Sequence, residues 1–386
     1  MRAPMAAHSG PFQFAVVSDL EGLRSLGPEW NELQRGNPES TFSQSHDWCR
    51  VALETSEYCR GRPLHCLTAR AGGRLALVWP FLIHEEGRTR IARRLGCGFV
   101  EDNALLLARE CESTSLLPEA WRKLKASLPA DFVELGRVAQ GSPLAAVIAS
   151  SERVRARDLA RLTEAEWHAF AKWEDYLSTR SSKYQSQIRR KGRRLGEQGA
   201  VTFEMVADAQ GFARLIEWTW QHKLEWMRAA DRSNPWVRWR DYVGFLKALR
   251  ALPEGSRRLV FFVLRLDGAP VATEFVILDP ARFQWIIGAF EERWSKFSPG
   301  QILQAHCLKW AFEHGLVYEF GIGDEPFKNL WANRVRELAY VTVPLSPRGY
   351  VRLISRAVVK RAKKALSLRR TASSLGKLAR APRPQP

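Results

Sequence analysis

Residues 259–331 carry the pattern that most restricts how this chain can fold. Four runs of apolar, β-branched and aromatic residues predict strands: 259–266, 271–278, 283–290 and 316–320. Asp267-Gly268, between the first two runs, is typical of a tight hairpin turn. Ser298-Pro299-Gly300 has the residues of a helix start, with Ser298 as the N-cap, and Gly315 suits a helix end. The segment therefore predicts three antiparallel strands, then a helix that crosses to a fourth strand.

The first half of the chain has a weaker form of the same order. A hairpin is predicted around Gly72-Gly73, because strand-like runs lie on both sides of this turn signal. A strand, a helix and a further strand follow at 90–95, 115–128 and 132–135. The two halves share no visible identity, so the repeat is inferred from the order of the elements alone.

Three short motifs in the second half, taken in their order and spacing, resemble those of a known family. They are Gly268-Ala269-Pro270-Val271-Ala272, Phe297-Ser298-Pro299-Gly300 and Gly321-Ile322-Gly323-Asp324-Glu325-Pro326-Phe327-Lys328. This set resembles the CelD-like, cellulose-biosynthesis-associated branch of the GNAT acyltransferase superfamily. Proteins of that branch are similar to the FemAB-type tandem-GNAT peptidyl transferases. The resemblance extends upstream to the basic stretch 181–190, and it covers the first half of the chain only loosely.

The element order and the resemblance together predict an α/β (α+β) fold of tandem GNAT-like domains with mixed, mainly antiparallel sheets. The predicted units are an N-terminal GNAT-like half at 1–150, a C-terminal acyltransferase half at 151–346 and a basic tail at 347–386. A basic helix is predicted at 180–195, within a helical pattern that begins near residue 175.

The net charge of +18 is concentrated in the tail. Residues 348–386 contain twelve Lys and Arg residues and no acidic residue, which leaves +6 on the rest of the chain. Apolar residues recur in the tail at helical spacing: Val351, Ile354, Val358, Ala362 and Ala365. Such a basic amphipathic helix predicts weak contact with an anionic membrane, and a solvated tail with little apolar area to dock on the fold is the alternative.

The six cysteines have no metal-ligand or redox spacing, so they indicate buried, reduced thiols. No stretch is long and apolar enough to cross a bilayer, and the first ten residues lack the apolar core of a signal peptide. The sequence therefore predicts a cytoplasmic protein without a transmembrane segment, peripheral to the inner face of the membrane if the tail binds there.

The predicted donor site is the helix start formed by Ser298, Pro299, Gly300 and Gln301. A helix N-terminus offers free N–H groups and the positive end of the helix dipole, which suits a pyrophosphate. The residues alone favour an ordinary helix start. The resemblance reverses that preference and implies a site for acetyl-CoA or another acyl-CoA. It also implies that a backbone N–H near Phe275 polarises the thioester carbonyl.

Two carboxylates are the predicted catalytic residues. Glu274 lies in the middle of the second strand, where a charge is costly unless it faces a cleft or a partner. It is a candidate base for the acceptor, and a solvent-facing or ion-paired residue is an equal alternative. Asp324 follows the last strand in a Gly-rich turn and is the second candidate. The family commonly has tyrosine where this chain has Phe327, so no phenol is expected there to protonate the leaving thiolate.

Basic residues supply the predicted acceptor site. Lys183, Gln187 and Arg190 share one face of the basic helix, and they suit an anionic acceptor such as a nucleotide-linked sugar. Lys328 is a further candidate for a phosphate or an acidic acceptor, and a solvated surface lysine is its alternative.

The leading functional prediction is transfer of an acyl group, acetyl by preference, from an acyl-CoA to an amine or hydroxyl. The acceptor is expected to be a sugar, a polysaccharide or a cell-envelope precursor. A FemAB-type transfer from aminoacyl-tRNA would give the basic helix and the tail a partner, and it is the main alternative. A non-catalytic scaffold or regulator of polysaccharide synthesis is the third.

Overall fold

The structure, a computed structural model, describes residues 11–96, 105–153, 156–229, 241–323, 325–356 and 358. Its strands are β1 Gln13–Val17, β2 Leu64–Ala71, β3 Arg74–Glu86, β4 Thr89–Arg94, β5 Leu106–Leu107, β6 Phe132–Ala139, β7 Ala156–Ala165, β8 Val201–Val206, β9 Leu259–Leu266, β10 Ala269–Leu278, β11 Arg282–Phe290, β12 Val317–Ile322 and β13 Arg334–Pro344. Its helices are α1 Leu20–Ser25, α2 Gly27–Arg35, α3 His46–Thr55, α4 Leu116–Ser127, α5 Pro143–Ser151, α6 Trp173–Ser178, α7 Ser182–Gly196, α8 Ala209–Ala229, α9 Asp241–Arg250, α10 Pro253–Arg258, α11 Pro299–Glu313 and α12 Pro326–Trp331.

All the strands of the described ranges join in one mixed sheet. Its order is β1-β2-β3-β4-β6-β13-β7-β12-β11-β10-β9-β8, and the short β5 pairs with β3. Neighbours are antiparallel except for β4 with β6 and β11 with β12, which are parallel. Each parallel pair is connected through a helix, α4 or α11, as a parallel connection requires. The predicted mixed, mainly antiparallel α/β fold is confirmed.

The order of elements repeats along the chain. Strands β1 to β4, helix α4, strand β6, helix α5 and strand β7 are followed by β8 to β11, α11, β12, α12 and β13 in the same order. The last strand of each set lies against the other set, because β13 pairs with β6 and β7 pairs with β12. These two exchanged strands also pair with each other from Arg334↔Glu164 to Thr342↔Ala156. The sheet is thus continuous across the predicted boundary at 150/151, and the boundary itself stays a prediction.

A buried ion cluster connects the strands around this exchange. The carboxylate of Glu164 on β7 is almost fully buried and forms an ion pair with Arg336 of β13, whose Nε lies 2.8 Å away. The same carboxylate lies 3.3 Å from Arg282 Nη1 of β11 and 3.5 Å from Arg334 Nε of β13. Glu319 of β12 contacts Arg282 and Arg336 as well. The carboxylates of Glu164 and Glu319 therefore connect three guanidinium groups across β7, β11, β12 and β13.

Two apolar layers cover the two faces of the sheet. One layer runs from the N-terminal half to α8 and α9 and includes Phe275 of β10 and Ile287 of β11. The other lies between the opposite face of β9 to β12 and the helices α6, α7 and α11. Five cysteines lie in the described residues, and they are buried free thiols.

The predicted continuous helix from residue 175 to 195 is two helices, α6 and α7, with a break at 179–181. Ser181 causes the break, because its side chain accepts the backbone N–H of Tyr184 at 3.3 Å and so caps a new helix. The predicted basic helix at 180–195 corresponds to α7.

The beginning of the basic tail docks on the fold. Residues 347–356 are helical. The Arg356 guanidinium contacts Glu134 and Glu86 of the N-terminal half, each at 2.9 Å. The alternative of a solvated tail is therefore wrong for these residues, because Arg356 attaches them to β6 and β3 and Leu353 is buried. Residues 359–386 lie outside the described part. Among the described helices, none has the length and apolar character needed to cross a membrane.

Candidate functional site

Strands β11 and β12 separate part-way along their length. They pair in parallel at only three positions, the last of which is Gln284↔Glu319. Beyond it, β11 continues along β10 as far as Ala272↔Phe290, while β12 stays with β7, its neighbour on the other side, as far as Ile322↔Leu162. Gly321 follows the separation in β12 with a φ of +73°, a conformation that favours glycine. The two strands therefore enclose a wedge whose β11 side has backbone groups released from the ladder.

Helix α11 begins at the mouth of this wedge. A Cβ on Gly300 would lie 3.7 Å from Cδ1 of Phe290, the last residue of β11, so the helix start and the strand end are neighbours. Ser298 occupies the N-cap position in a left-handed conformation, with φ 51° and ψ 56°. The predicted N-cap position is confirmed, although the Ser298 side chain makes no capping hydrogen bond. The Ser298 hydroxyl instead accepts Lys191 Nζ of α7 at 2.6 Å.

The first turn of α11 has a positive electrostatic potential. The N–H groups of Gln301 and Ile302 bond to the Ser298 carbonyl at 3.0 and 3.2 Å, and Pro299 has no N–H. No hydrogen bond within the described ranges uses the N–H of Gly300. Lys191 adds a positive charge to that of the helix dipole. This helix start is therefore arranged to receive an anion.

Two more cations border the same helix start. Arg194 of α7 places its Cζ 5.9 Å from the ring centroid of Phe297, the residue before Ser298. Lys296 places its Nζ 4.9 Å from the same ring. Both residues are exposed, so their charged ends are free to adjust to a bound anion.

An indole lies next to the point where the wedge opens. Trp285 follows Gln284 on β11, and its Nε1 is buried and makes no hydrogen bond within the described residues. A Cβ on Gly288 would lie 3.4 Å from Trp285 Cζ2, so a glycine at 288 leaves room for the indole. The Phe327 ring is 6.2 Å away. A buried donor without an acceptor is costly, which makes Trp285 Nε1 a candidate contact for a bound carbonyl.

Glu274 is buried beneath α11 rather than on the wedge surface. Tyr318 donates its hydroxyl to Glu274 Oε2 at 3.1 Å, and the Cys307 thiol bonds to the same carboxyl. Burial raises the pKa of Glu274 to about 7. No cation within the described residues pairs with it, so the alternative of a solvent-facing or ion-paired residue is wrong. A base that contacts the acceptor is also at odds with this burial.

The Glu274→Gln variant is expected to change the pH dependence of stability. A carboxyl whose pKa is raised on folding stabilises most below its ordinary pKa of 4.5 and loses that contribution as the pH rises through about 7. The native protein should therefore lose about 3 kcal/mol relative to the variant between about pH 4 and pH 8. Urea unfolding of both proteins across this range measures it. A difference that does not vary with pH would contradict the buried carboxyl.

Phe275 does not lie where a contact with the thioester was predicted. Phe275 is paired on both sides, with Phe261 of β9 and Ile287 of β11, and its side chain is fully buried. The strand that borders the wedge is β11 rather than β10, so the predicted thioester contact at Phe275 is at odds with the structure.

Lys328 is neither a surface lysine nor a free cation. It is buried, and its Nζ donates to the carbonyl oxygens of Gly321 and Ile322 at 3.3 and 2.9 Å and to Glu325 Oε2 at 2.9 Å. These three acceptors use all three ammonium protons. The prediction that Lys328 binds an acceptor is wrong, because this side chain holds the Gly-rich loop.

Lys183, Gln187 and Arg190 are exposed on α7, as their shared face predicts. Lys191 lies on the inner side of the same helix, between the buried Ile188 and Leu195. The sequence interpretation missed Lys191, although its spacing of three and four from those apolar residues could have placed it there. The second candidate base, Asp324, lies outside the described residues.

Comparisons with known proteins relate the chain to a domain family and to solved structures of similar fold. The acetyltransferase (GNAT) domain family matches residues 182–329, from α7 into α12. The crystal structure of FemX is 12% identical and has a TM-score of 0.54, over 82% of this chain and 96% of that one. The C-terminal domain of a proposed lysylphosphatidylglycerol synthetase from Agrobacterium fabrum is 13% identical and has a TM-score of 0.50, over 87% and 96%. No curated protein matches this sequence. Residues 182–329 therefore match a GNAT-type acetyltransferase domain, and the fold of the chain is similar to that of FemX.

Proposed function

We propose that this protein transfers an acyl group, acetyl by preference, from an acyl-CoA to an amine or hydroxyl of a sugar, a polysaccharide or a cell-envelope precursor. The observation that carries the proposal is the helix start of α11 at the mouth of the β11–β12 wedge, with Lys191 on Ser298. The match of residues 182–329 to the GNAT domain family supports the same chemistry.

The residues around the wedge fit an acyl-CoA. Such a donor supplies an acyl group already activated as a thioester. The N–H of Gly300, the dipole of α11 and the ammonium of Lys191 suit the pyrophosphate. The released backbone of β11 and the Nε1 of Trp285 are donors suited to amide and thioester carbonyls. Pro299 and Gln301 shape the first turn that carries these groups.

The proposed acceptor site lies beside the donor site. Asp324, which stands between Gly323 and Glu325 in the sequence, is the proposed base for the acceptor amine or hydroxyl. Lys183, Gln187 and Arg190 are the proposed contacts for an anionic acceptor. Glu274 supports α11 from below through Tyr318 and Cys307, which is a positioning role.

A FemAB-type transfer from aminoacyl-tRNA is the second candidate. The fold similarity to FemX and the exposed basic face of α7 favour it, because a row of cations suits a phosphate backbone. The two candidates use the same wedge and differ in the donor that fills it.

The Lys191→Ala variant is expected to bind acetyl-CoA about 10-fold more weakly, since one charge-assisted contact of roughly 1.4 kcal/mol is lost. Isothermal titration calorimetry measures it. Arg189→Ala is the matched control, because it removes one positive charge from the exposed side of the same helix. Equal losses in the two variants would mean that only net charge matters. No loss in Lys191→Ala would place the phosphates away from α11.

A further inference from the structure

The docked start of the tail has an apolar stripe that faces away from the protein. Tyr350, Val351, Ile354 and Val358 are 43%, 64%, 50% and 58% exposed. Their spacing of three and four places them on one side of the helix. Nine large hydrophobic side chains are exposed in the described residues, and these four are the group that is continuous. A stripe of this kind on one helix marks an interaction surface.

The opposite side of the helix is attached too firmly for the stripe to turn inward. Leu353 is buried, and Gly349 lies so close to Asp131 that a Cβ would collide with the Asp131 carbonyl oxygen. Arg356 holds Glu134 and Glu86 at 2.9 Å each, and its Cζ lies 4.9 Å from the ring centroid of Phe132. The outward orientation of the apolar stripe is therefore fixed by contacts on the other face.

Positive charge lies on the same helix as the stripe and follows it in the sequence. Arg348 and Arg352 are exposed on the same helix. Residues 359–386, which continue from its end, contain nine Lys and Arg residues and no acidic residue. A surface that binds both this stripe and these charges must have an anionic outer layer and an apolar interior. A bilayer with acidic headgroups is such a surface.

We propose that residues 347–358 dock this protein on an anionic lipid membrane, with Val351, Ile354 and Val358 inserted at the headgroup level. A nucleic acid would use the cations but gain nothing from exposed aliphatic side chains, since it binds through phosphates and stacking. A second copy of the chain would bring two strongly basic tails together. The proposal does not depend on the acyl-transfer chemistry.

Vesicle sedimentation with the full chain tests the proposal. The native protein should bind phosphatidylglycerol-containing vesicles and not pure phosphatidylcholine vesicles, and added salt should weaken binding. Val351→Ser, Ile354→Ser and Val358→Ser combined should reduce vesicle partitioning about 10-fold or more. The triple variant and the native protein should not differ in a titration with tRNA, because their charges are the same. These substitutions leave Leu353 and Arg356 in place, and circular dichroism checks that the fold is retained.

Leu159→Ser is the matched control, since Leu159 is 68% exposed on β7 and should not affect vesicle binding. Native-like vesicle binding by the triple variant would overturn the inserted stripe. Binding of native protein to tRNA but not to vesicles would show a nucleic-acid surface instead. Absence of binding to either would also refute the proposal.

Discussion

The Gly300→Glu variant is expected to bind acetyl-CoA at least about 100-fold more weakly than the native protein, a loss of roughly 2.7 kcal/mol. The new carboxylate would stand in the first turn of α11, where the phosphates are proposed to bind, and repel them. The fold should tolerate it, because the nearest atom to a Cβ at this position is Phe290 Cδ1 at 3.7 Å. A negative charge in the first turn also favours the helix itself.

Gly300→Gln is the matched control, because glutamine has the shape of glutamate without its charge. Calorimetry should show a clearly smaller loss of acetyl-CoA affinity for this variant, and urea unfolding should show both variants folded. Equal losses in the two variants would mean that side-chain bulk blocks the site. Native affinity in Gly300→Glu would show that the phosphates bind elsewhere.

The Glu164→Gln variant is expected to lower the free energy of unfolding by about 3 kcal/mol or more. Glu164 is buried, and it compensates Arg336, Arg282 and Arg334 at the seam where the last strands are exchanged. Removing its charge takes the most buried carboxylate of the cluster away from the guanidinium groups of Arg282 and Arg336, which is the costly way to break an ion cluster. Urea unfolding monitored by circular dichroism measures the loss.

Glu166→Gln is the control for this variant. Glu166 is only partly buried and pairs with Arg334 at 2.6 Å, so its loss should cost less than about 1 kcal/mol. If Glu164→Gln costs no more than Glu166→Gln, the buried cluster does not stabilise the exchange of β7 and β13.

Local signals predicted the elements around the site well. The strand at 259–266 coincides with β9, and the predicted strand at 283–290 starts one residue after β11 does. Asp267-Gly268 sets the turn between β9 and β10, because Asp267 and Gly268 both have positive φ. Turn residues and apolar runs act over a few positions, so a single sequence is enough to place them.

Long-range pairing could not be predicted in the same way. Strand β13 pairs with β6, about 200 residues earlier in the chain, and nothing local distinguishes it from a strand that pairs with β12. The break between α6 and α7 was missed because the side chain of Ser181 competes with the helix for its own backbone.

The candidate site shows the same limit. The helix start at Ser298 was visible in the sequence. The different roles of the two lysines beside the site, Lys191 and Lys328, were not. Lys191 donates to the Ser298 hydroxyl at the helix start, whereas Lys328 donates to carbonyl oxygens of the loop. Alternation placed Glu274 on one face of β10 but did not reveal that α11 covers this face, because burial depends on packing between distant segments.

One measurement tests the central proposal most directly: calorimetric titration of the native protein with acetyl-CoA, and separately with tRNA. The wedge, the α11 start and Lys191 predict saturable acetyl-CoA binding in the micromolar range and no stoichiometric binding of tRNA. Saturable tRNA binding without acetyl-CoA binding would contradict the account in favour of the FemAB-type donor. A protein that bound neither would be a scaffold that kept the fold without the chemistry.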